Sequence, residues 1–198
     1  MQIMYNLNHT KTVVLFLLSL SLLIYPCSLK AAQSHHDLDN IITTDCHVTL
    51  LKDTNYFPVI LDMIVKAQSE IVMSFFLFKT NGYRNSYPDT FLKHLIEAAQ
   101  RGVKVRVILE KEKGPNSTLN ENNRATAIRL RKGGVHVCFD SPFTTNHTKV
   151  IVIDRRYICL GSHNLTNSAL KYNHEISVLI DSPPMAEKTL HYINSLYK

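Results

Sequence analysis

Between Cys46 and Phe139 the chain alternates short apolar runs with amphipathic stretches, and this order constrains the fold more than any single residue. His47 to Leu51 has the pattern of a strand. Tyr56 to Ala67 places Ile60, Ile64 and Ala67 on one helical face. Glu70 to Phe78 (EIVMSFFLF) is apolar on both sides, as expected for a central strand covered by helices. Asp89 to Arg101 has the helical period, and Gly102 closes it. Val103 to Leu109 alternates as a strand. Lys111 to Asn123 is polar, contains Gly114-Pro115 and is expected to be a loop. Arg124 to Lys132 is a helix stopped by Gly133-Gly134, and Val135 to Phe139 is a further strand. The order predicts an α/β sandwich with a largely parallel sheet. Pro183 to Tyr197 is expected to form a closing helix.

The first thirty residues do not fit this pattern. Lys11 precedes the run Val13 to Ile24, which as a helix would be about 18 Å long, short of the roughly 30 Å hydrocarbon core. A basic end followed by a short apolar run is the form of an export signal. Cleavage after Ala32 would put Lys30 where a small residue is expected, so an uncleaved anchor through residues 13–29 remains open. The expectation is a signal peptide or N-terminal membrane anchor over residues 1–32, a linker over 33–45, and one domain over 46–198. The protein would then be exported, periplasmic or secreted, or held at a membrane.

Composition limits what that domain can be. At 45% hydrophobic and 19% charged, with six Gly and seven Pro, the 198 residues are neither disordered nor collagen-like. The formal charge of +6 suits a polyanionic partner without requiring one. Lys11 and Lys30 belong to the leader, which leaves +4 for the remainder. No C-x-x-C spacing suggests a zinc knuckle, and no metal is expected. An exported chain can form one disulfide, for which Cys46 and Cys138 are candidates, while Cys159 in YICL reads as a buried small hydrophobe.

Chemistry concentrates in HTKVIVIDRRYICLGSHNLTNSAL, from His147 to Leu170. On a strand, His147, Lys149, Ile151 and Ile153 share one face, so an imidazole and an ammonium project together. Asp154-Arg155-Arg156 makes a polar turn. Tyr157 to Leu160 returns as a second strand ending in Gly161-Ser162-His163-Asn164, which brings a hydroxyl and an amide near the His147 end. One nucleophile, one cation and two neutral hydrogen-bonding groups suit a phosphodiester, whose charge builds on the non-bridging oxygens during displacement.

The pattern His147-x-Lys149-(x)4-Asp154-(x)6-Gly161-Ser162-x-Asn164 resembles the HKD signature of the phospholipase D superfamily, and Asn173-His174-Glu175 looks like that family's N-x-E segment. The resemblance covers about Cys46 to Ile180. It implies a phospholipase D-like α/β/α sandwich with a mixed, largely parallel sheet flanked by helices. Because the motif occurs once, the chain resembles the short, nuclease-like bacterial branch, in which two identical chains share one site. That implies a homodimer.

The resemblance also implies roles. His147 would attack phosphorus, and His147 of the partner chain would protonate the leaving oxygen and then activate water. Lys149 and Asn164 would hold the non-bridging oxygens, with Ser162 adding a hydrogen bond. Glu175 would accept from the other ring nitrogen of His147. Asp154 completes the signature, although its place at the far end of the strand reads as structural. No cofactor is implied, so turnover should survive a chelator. His163, at the variable position of GSHN, is expected at the rim, and His174 is expected to serve packing or surface. The expected activity is that of an endonuclease on DNA or RNA. The alternative is a phospholipase D that releases phosphatidic acid from phosphatidyl lipids. Both need the same phosphate pocket.

Overall fold

The computed structural model describes residues 46–114 and 117–196, so the leader, the anchor through 13–29 and the linker lie outside the described residues. Seven strands form one sheet: β1 (His47–Lys52), β2 (Glu70–Phe75), β3 (Lys104–Leu109), β4 (His136–Phe139), β5 (Lys149–Ile153), β6 (Tyr157–Gly161) and β7 (Ile176–Asp181). Five α-helices accompany them: α1 (Tyr56–Lys66), α2 (Tyr87–Gln100), α3 (Thr118–Lys132), α4 (Asn167–Lys171) and α5 (Pro183–Ser195). None of the described helices is long and apolar enough to cross a membrane.

The spatial order is β1-β7-β6-β5-β2-β3-β4. The sheet is mixed, as expected, but its parallel part is smaller than the alternation of elements suggested. Only β2–β3 and β3–β4 are parallel, while β1–β7, β7–β6, β6–β5 and β5–β2 are antiparallel. The connections account for this. Parallel neighbours need a long crossover, which α2 and α3 provide. No helix lies between β4 and β5, and β5 returns into β6 through a tight turn, with Arg156 N–H donating to Ile153 C=O at 3.1 Å. Asp154 and Arg155 both have positive φ, +52° and +53°, the conformation of the turn that matches strand twist in a hairpin.

Helices cover both faces. Ile60 and Ile64 of α1, Phe91 and Leu95 of α2, and Ala127 and Leu130 of α3 pack on Met73, Phe75, Val107, Ile151 and Ile153. On the other face, Ala186, Leu190 and Ile193 of α5 cover Val72, Ile108, Val152, Ile158 and Ile180. Each large aliphatic side chain buried this way contributes about 1.5–3 kcal/mol before conformational entropy is counted.

Local signals set the helix starts. Ser86 accepts the Asp89 N–H and caps α2, which starts at Tyr87, two residues before the expected Asp89, with Pro88 in the first turn. Helix α3 begins at Thr118, six residues inside the expected loop, because Ser117 caps it and accepts from Asn120 N–H at 3.2 Å. The asparagines that suggested a loop are used differently. Asn123 is fully buried in the helix, where its amide donates to Phe76 C=O and Glu110 C=O and accepts from Phe78 N–H.

The candidate disulfide is not formed. Cys46 leads into β1 and Cys138 lies on β4, the two opposite edges of the sheet, and both are free. Six strand spacings of about 4.8 Å separate those edges, whereas a disulfide needs Cα atoms within about 7 Å.

Candidate active site

Antiparallel pairing gathers the signature residues. Lys149 opens β5 opposite Phe75, the end of β2, while Val150 faces Leu160 and Gly161 faces Ser177. His147 and Lys149 therefore meet the end of β6 and the start of β7, where Ser162, Asn164 and Glu175 lie.

Asp154 follows the other end of β5, about 16 Å from Lys149 at strand rise, and does not belong to this group. Its carboxylate accepts from the amides of Gln68, Ser69 and Glu70 and from the Ser69 hydroxyl.

His147 is exposed, with its ring edge-on to Phe76 at 4.9 Å between centroids. Lys149 Nζ donates to His147 C=O at 2.9 Å and lies 5.2 Å from the centre of the same Phe76 ring. Burial holds the Lys149 ammonium below the usual lysine range, and the Glu175 carboxylate draws it partly back. Phe76 was not foreseen as part of the site, since its run reads as core strand. The reason for its role is that β2 ends at Phe75, so the next side chain emerges at the sheet's end.

Glu175 is engaged by other groups than His147. One carboxylate oxygen accepts from the Ser162 hydroxyl and the other from Asn173 Nδ2 at 3.1 Å. No hydrogen bond joins it to the His147 ring among the described residues. Ser162, expected to face substrate, instead bridges the strands: its hydroxyl also accepts from Ile176 N–H at 3.0 Å, and its own N–H donates to Ile176 C=O at 2.9 Å. Asn164 lies half-buried with Oδ1 unpaired among the described residues.

A buried polar network flanks His147. Asn146 N–H donates to Glu110 Oε2 at 2.5 Å and its side-chain amide donates to Ser74 Oγ at 3.0 Å, while Thr148 Oγ1 donates to Asn146 Oδ1 at 2.6 Å. The Ser74 hydroxyl lies 2.7 Å from that of Thr148 and closes the ring. Both neighbours of His147 are thereby fixed. Burial raises the Glu110 carboxyl above its usual range, the Asn146 amide lowers it in part, and Asp140 and Glu112 raise it further. A lone asparagine before the motif gave no sign of this ring.

His163 is fully buried rather than at the rim, and His174 is exposed. A surface cleft of about 330 Å³ beside the site is lined by Lys52, Asp53, Ser162, His174, Glu175 and Ile176. A larger hollow, about 540 Å³, lies around Asp154 at the opposite end and contains none of the other signature residues. No cluster of His, Cys, Asp or Glu able to hold a metal occurs among the described residues.

Residues 60–197 match the family model described as cardiolipin synthase, PLD-like domain. The chain is 35% identical over 131 residues to a phospholipase D of Rickettsia prowazekii (strain Madrid E), covering 66% of this chain and 57% of the relative. It is 37% identical over 98 residues to a phospholipase D of Rickettsia felis, covering 48% and 45%. The chain thus spans about half the length of these curated relatives. Among solved structures, Nuc from Salmonella typhimurium, a phospholipase D family member, superposes with a TM-score of 0.64 at 25% identity, covering 77% of this chain and 94% of that one. NucT from Helicobacter pylori shares the fold, with a TM-score of 0.60 at 18% identity. A family match across most of the domain, on a sheet that brings His147 and Lys149 to one end, leads to one assignment: the chain belongs to the phospholipase D superfamily.

Proposed function

We propose that this protein is a metal-independent phosphodiesterase that works through a phosphohistidine, with nucleic acid as its substrate. The observation that carries the reading is the placement of an exposed His147 beside the Lys149 ammonium at the end of the sheet. A ring nitrogen of His147 attacks phosphorus and the bond to the leaving oxygen breaks. A second imidazolium gives that oxygen its proton. The same second imidazole then takes a proton from water, and the resulting hydroxide displaces His147. Lys149 exchanges its contact with the His147 carbonyl for a non-bridging oxygen. The Asn164 amide, whose Oδ1 is unpaired among the described residues, adds a donor there, since a half-turn of the group exchanges Oδ1 for Nδ2.

The second imidazole comes from a second copy. His163 is buried and satisfied within the fold, and one chain carries the full signature, His-x-Lys followed by its Asp and Gly-Ser-x-Asn, once. A symmetric dimer would supply the partner group. The nucleic-acid reading draws support from the charge of +6 and from the likeness to Nuc over nearly its whole length. The names of the Rickettsia relatives favour a second reading, hydrolysis of phosphatidyl lipids.

The test is turnover of bis(p-nitrophenyl) phosphate in EDTA by wild type and by His147→Ala. Turnover by wild type alone is expected, and loss of wild-type activity in EDTA, restored by added metal, would overturn the metal-independent reading. Parallel assays on plasmid DNA and phosphatidylcholine vesicles separate the substrates, with DNA cleavage expected to dominate.

A further inference from the structure

His163 lies between two site residues in sequence, yet it is 0% exposed and cannot touch substrate. Its ring stacks on Tyr56 at 4.2 Å with the planes 15° apart. Nε2 lies 3.0 Å from Asp53 C=O, which can only accept, so Nε2 carries the hydrogen. Nδ1 then accepts the Ser177 hydroxyl, 2.8 Å away.

Both partners adjoin Glu175. Asp53 sits in a 3-10 turn (Asp53–Asn55) with φ +49°, a conformation that L residues adopt at a cost. From there it clasps Glu175 twice: Asp53 N–H donates to Glu175 C=O at 2.9 Å, and Glu175 N–H donates to Asp53 Oδ1 at 2.8 Å. Ser177 is two residues further along β7.

We propose that His163 is a positioning residue: by holding the Asp53 carbonyl and Ser177, it sets the place of the Glu175 carboxylate beside Ser162 and Lys149. This rests on the phosphodiesterase reading and adds a residue to its machinery. The role requires the neutral ring. Burial keeps the imidazole below its ordinary range, against the Asp53 carbonyl and the charges of Glu175 and Asp53, which raise it. Displacing a carboxylate by a fraction of an ångström is enough to slow a positioned reaction strongly.

A double-mutant cycle in turnover of bis(p-nitrophenyl) phosphate tests this, using wild type, His163→Ala, Glu175→Gln and the pair. His163→Ala should lower kcat about tenfold or more with KM nearly unchanged, and in the Glu175→Gln background it should change kcat less than about twofold. An equal effect in both backgrounds overturns the proposal. His163→Gln, which keeps a donor near the Nε2 position, should recover most of kcat. Should His163→Ala fail to fold, His163→Gln against His163→Asn, which cannot reach Asp53, makes the same comparison. A second readout needs no turnover: amide exchange at Glu175 should accelerate about tenfold in His163→Asn while that of Val152 does not change. Unchanged exchange at Glu175 overturns the proposal. Absence of wild-type turnover with accelerated exchange overturns the phosphodiesterase reading alone.

Discussion

The carboxylate of Asp154 accepts the Ser69 N–H at 2.7 Å and ties the β5–β6 turn to the start of β2. The amides of Gln68 and Glu70 join at 3.0 and 3.1 Å, and the Ser69 hydroxyl at 2.8 Å. Burial alone would raise this carboxyl; the hydrogen bonds from Ser69, Gln68 and Glu70 outweigh it and leave it below the usual range. A signature aspartate about 16 Å from Lys149 is thus explained as the fastening of the hairpin whose other end carries His147 and Lys149.

Asp154→Ala should therefore cost stability more than chemistry. It leaves several amide donors without their partner, a loss of about 2–4 kcal/mol. Because the folded carboxyl titrates below its unfolded value, its contribution is complete above about pH 4 and is lost as pH falls through the folded value. Thermal unfolding of wild type and Asp154→Ala from pH 7 down to 3 should show the gap narrowing. A constant gap would mean that the carboxylate's charge plays no part.

Gly161 is a steric requirement. A Cβ there would lie 2.2 Å from Ser177 Oγ and 2.4 Å from the Ile176 carbonyl. Removing the hydroxyl cannot relieve the clash with backbone, so β6 and β7 must part. Gly161→Ala should lose about 1–3 kcal/mol as an overpacked site does, and adding Ser177→Ala should restore only part of it. Full recovery in the pair, measured by denaturant unfolding, would place the whole clash on the hydroxyl.

The elements were legible in sequence wherever the apolar period was clear, as in Tyr56–Lys66 and in the hairpin from Lys149 to Gly161. The parallel bias was not, because alternation of strands and helices does not say which strands become neighbours after the last crossover helix. The first six residues of α3, Thr118 to Asn123, were hidden by asparagines that read as loop, although Asn123 serves three backbone groups from within the helix. The signature placed His147 and Lys149 together, since two residues on one strand face need no tertiary information. His163 was misread, and Asn146 gave no signal, for the opposite reason. Their partners, Asp53 and Glu110, are 110 and 36 residues away, and only the closed sheet brings them near.

Lys149 should set the alkaline limit of activity. Only its protonated form neutralises a non-bridging oxygen, and burial lowers its titration despite Glu175. The alkaline limb of kcat/KM should begin below the range of a free lysine, about 10.4. Lys149→Arg, which cannot lose its proton, should abolish that limb while lowering activity, because a planar fork does not replace a point charge. A limb unchanged in Lys149→Arg would assign it to another group.

The proposed second copy has a surface to meet. Strand register puts Val48, Leu50, Leu160 and Ile176 on the face that α5 covers only in part, and they are 56%, 53%, 40% and 55% exposed. Leu160 and Ile176 directly adjoin the strand ends that carry Ser162 and Glu175, so a contact there places two sites close together. Contiguous exposed apolar side chains beside a site that needs a second imidazole favour a copy of the same chain as occupant. Leu50→Lys with Ile176→Lys should leave the fold intact, since both side chains already face solvent. By sedimentation the variant should be a monomer where wild type is a dimer, and turnover should fall at least tenfold at low protein concentration. Should the variant remain dimeric and active, this face is not the interface. A wild type active as a monomer would remove the need for a shared site.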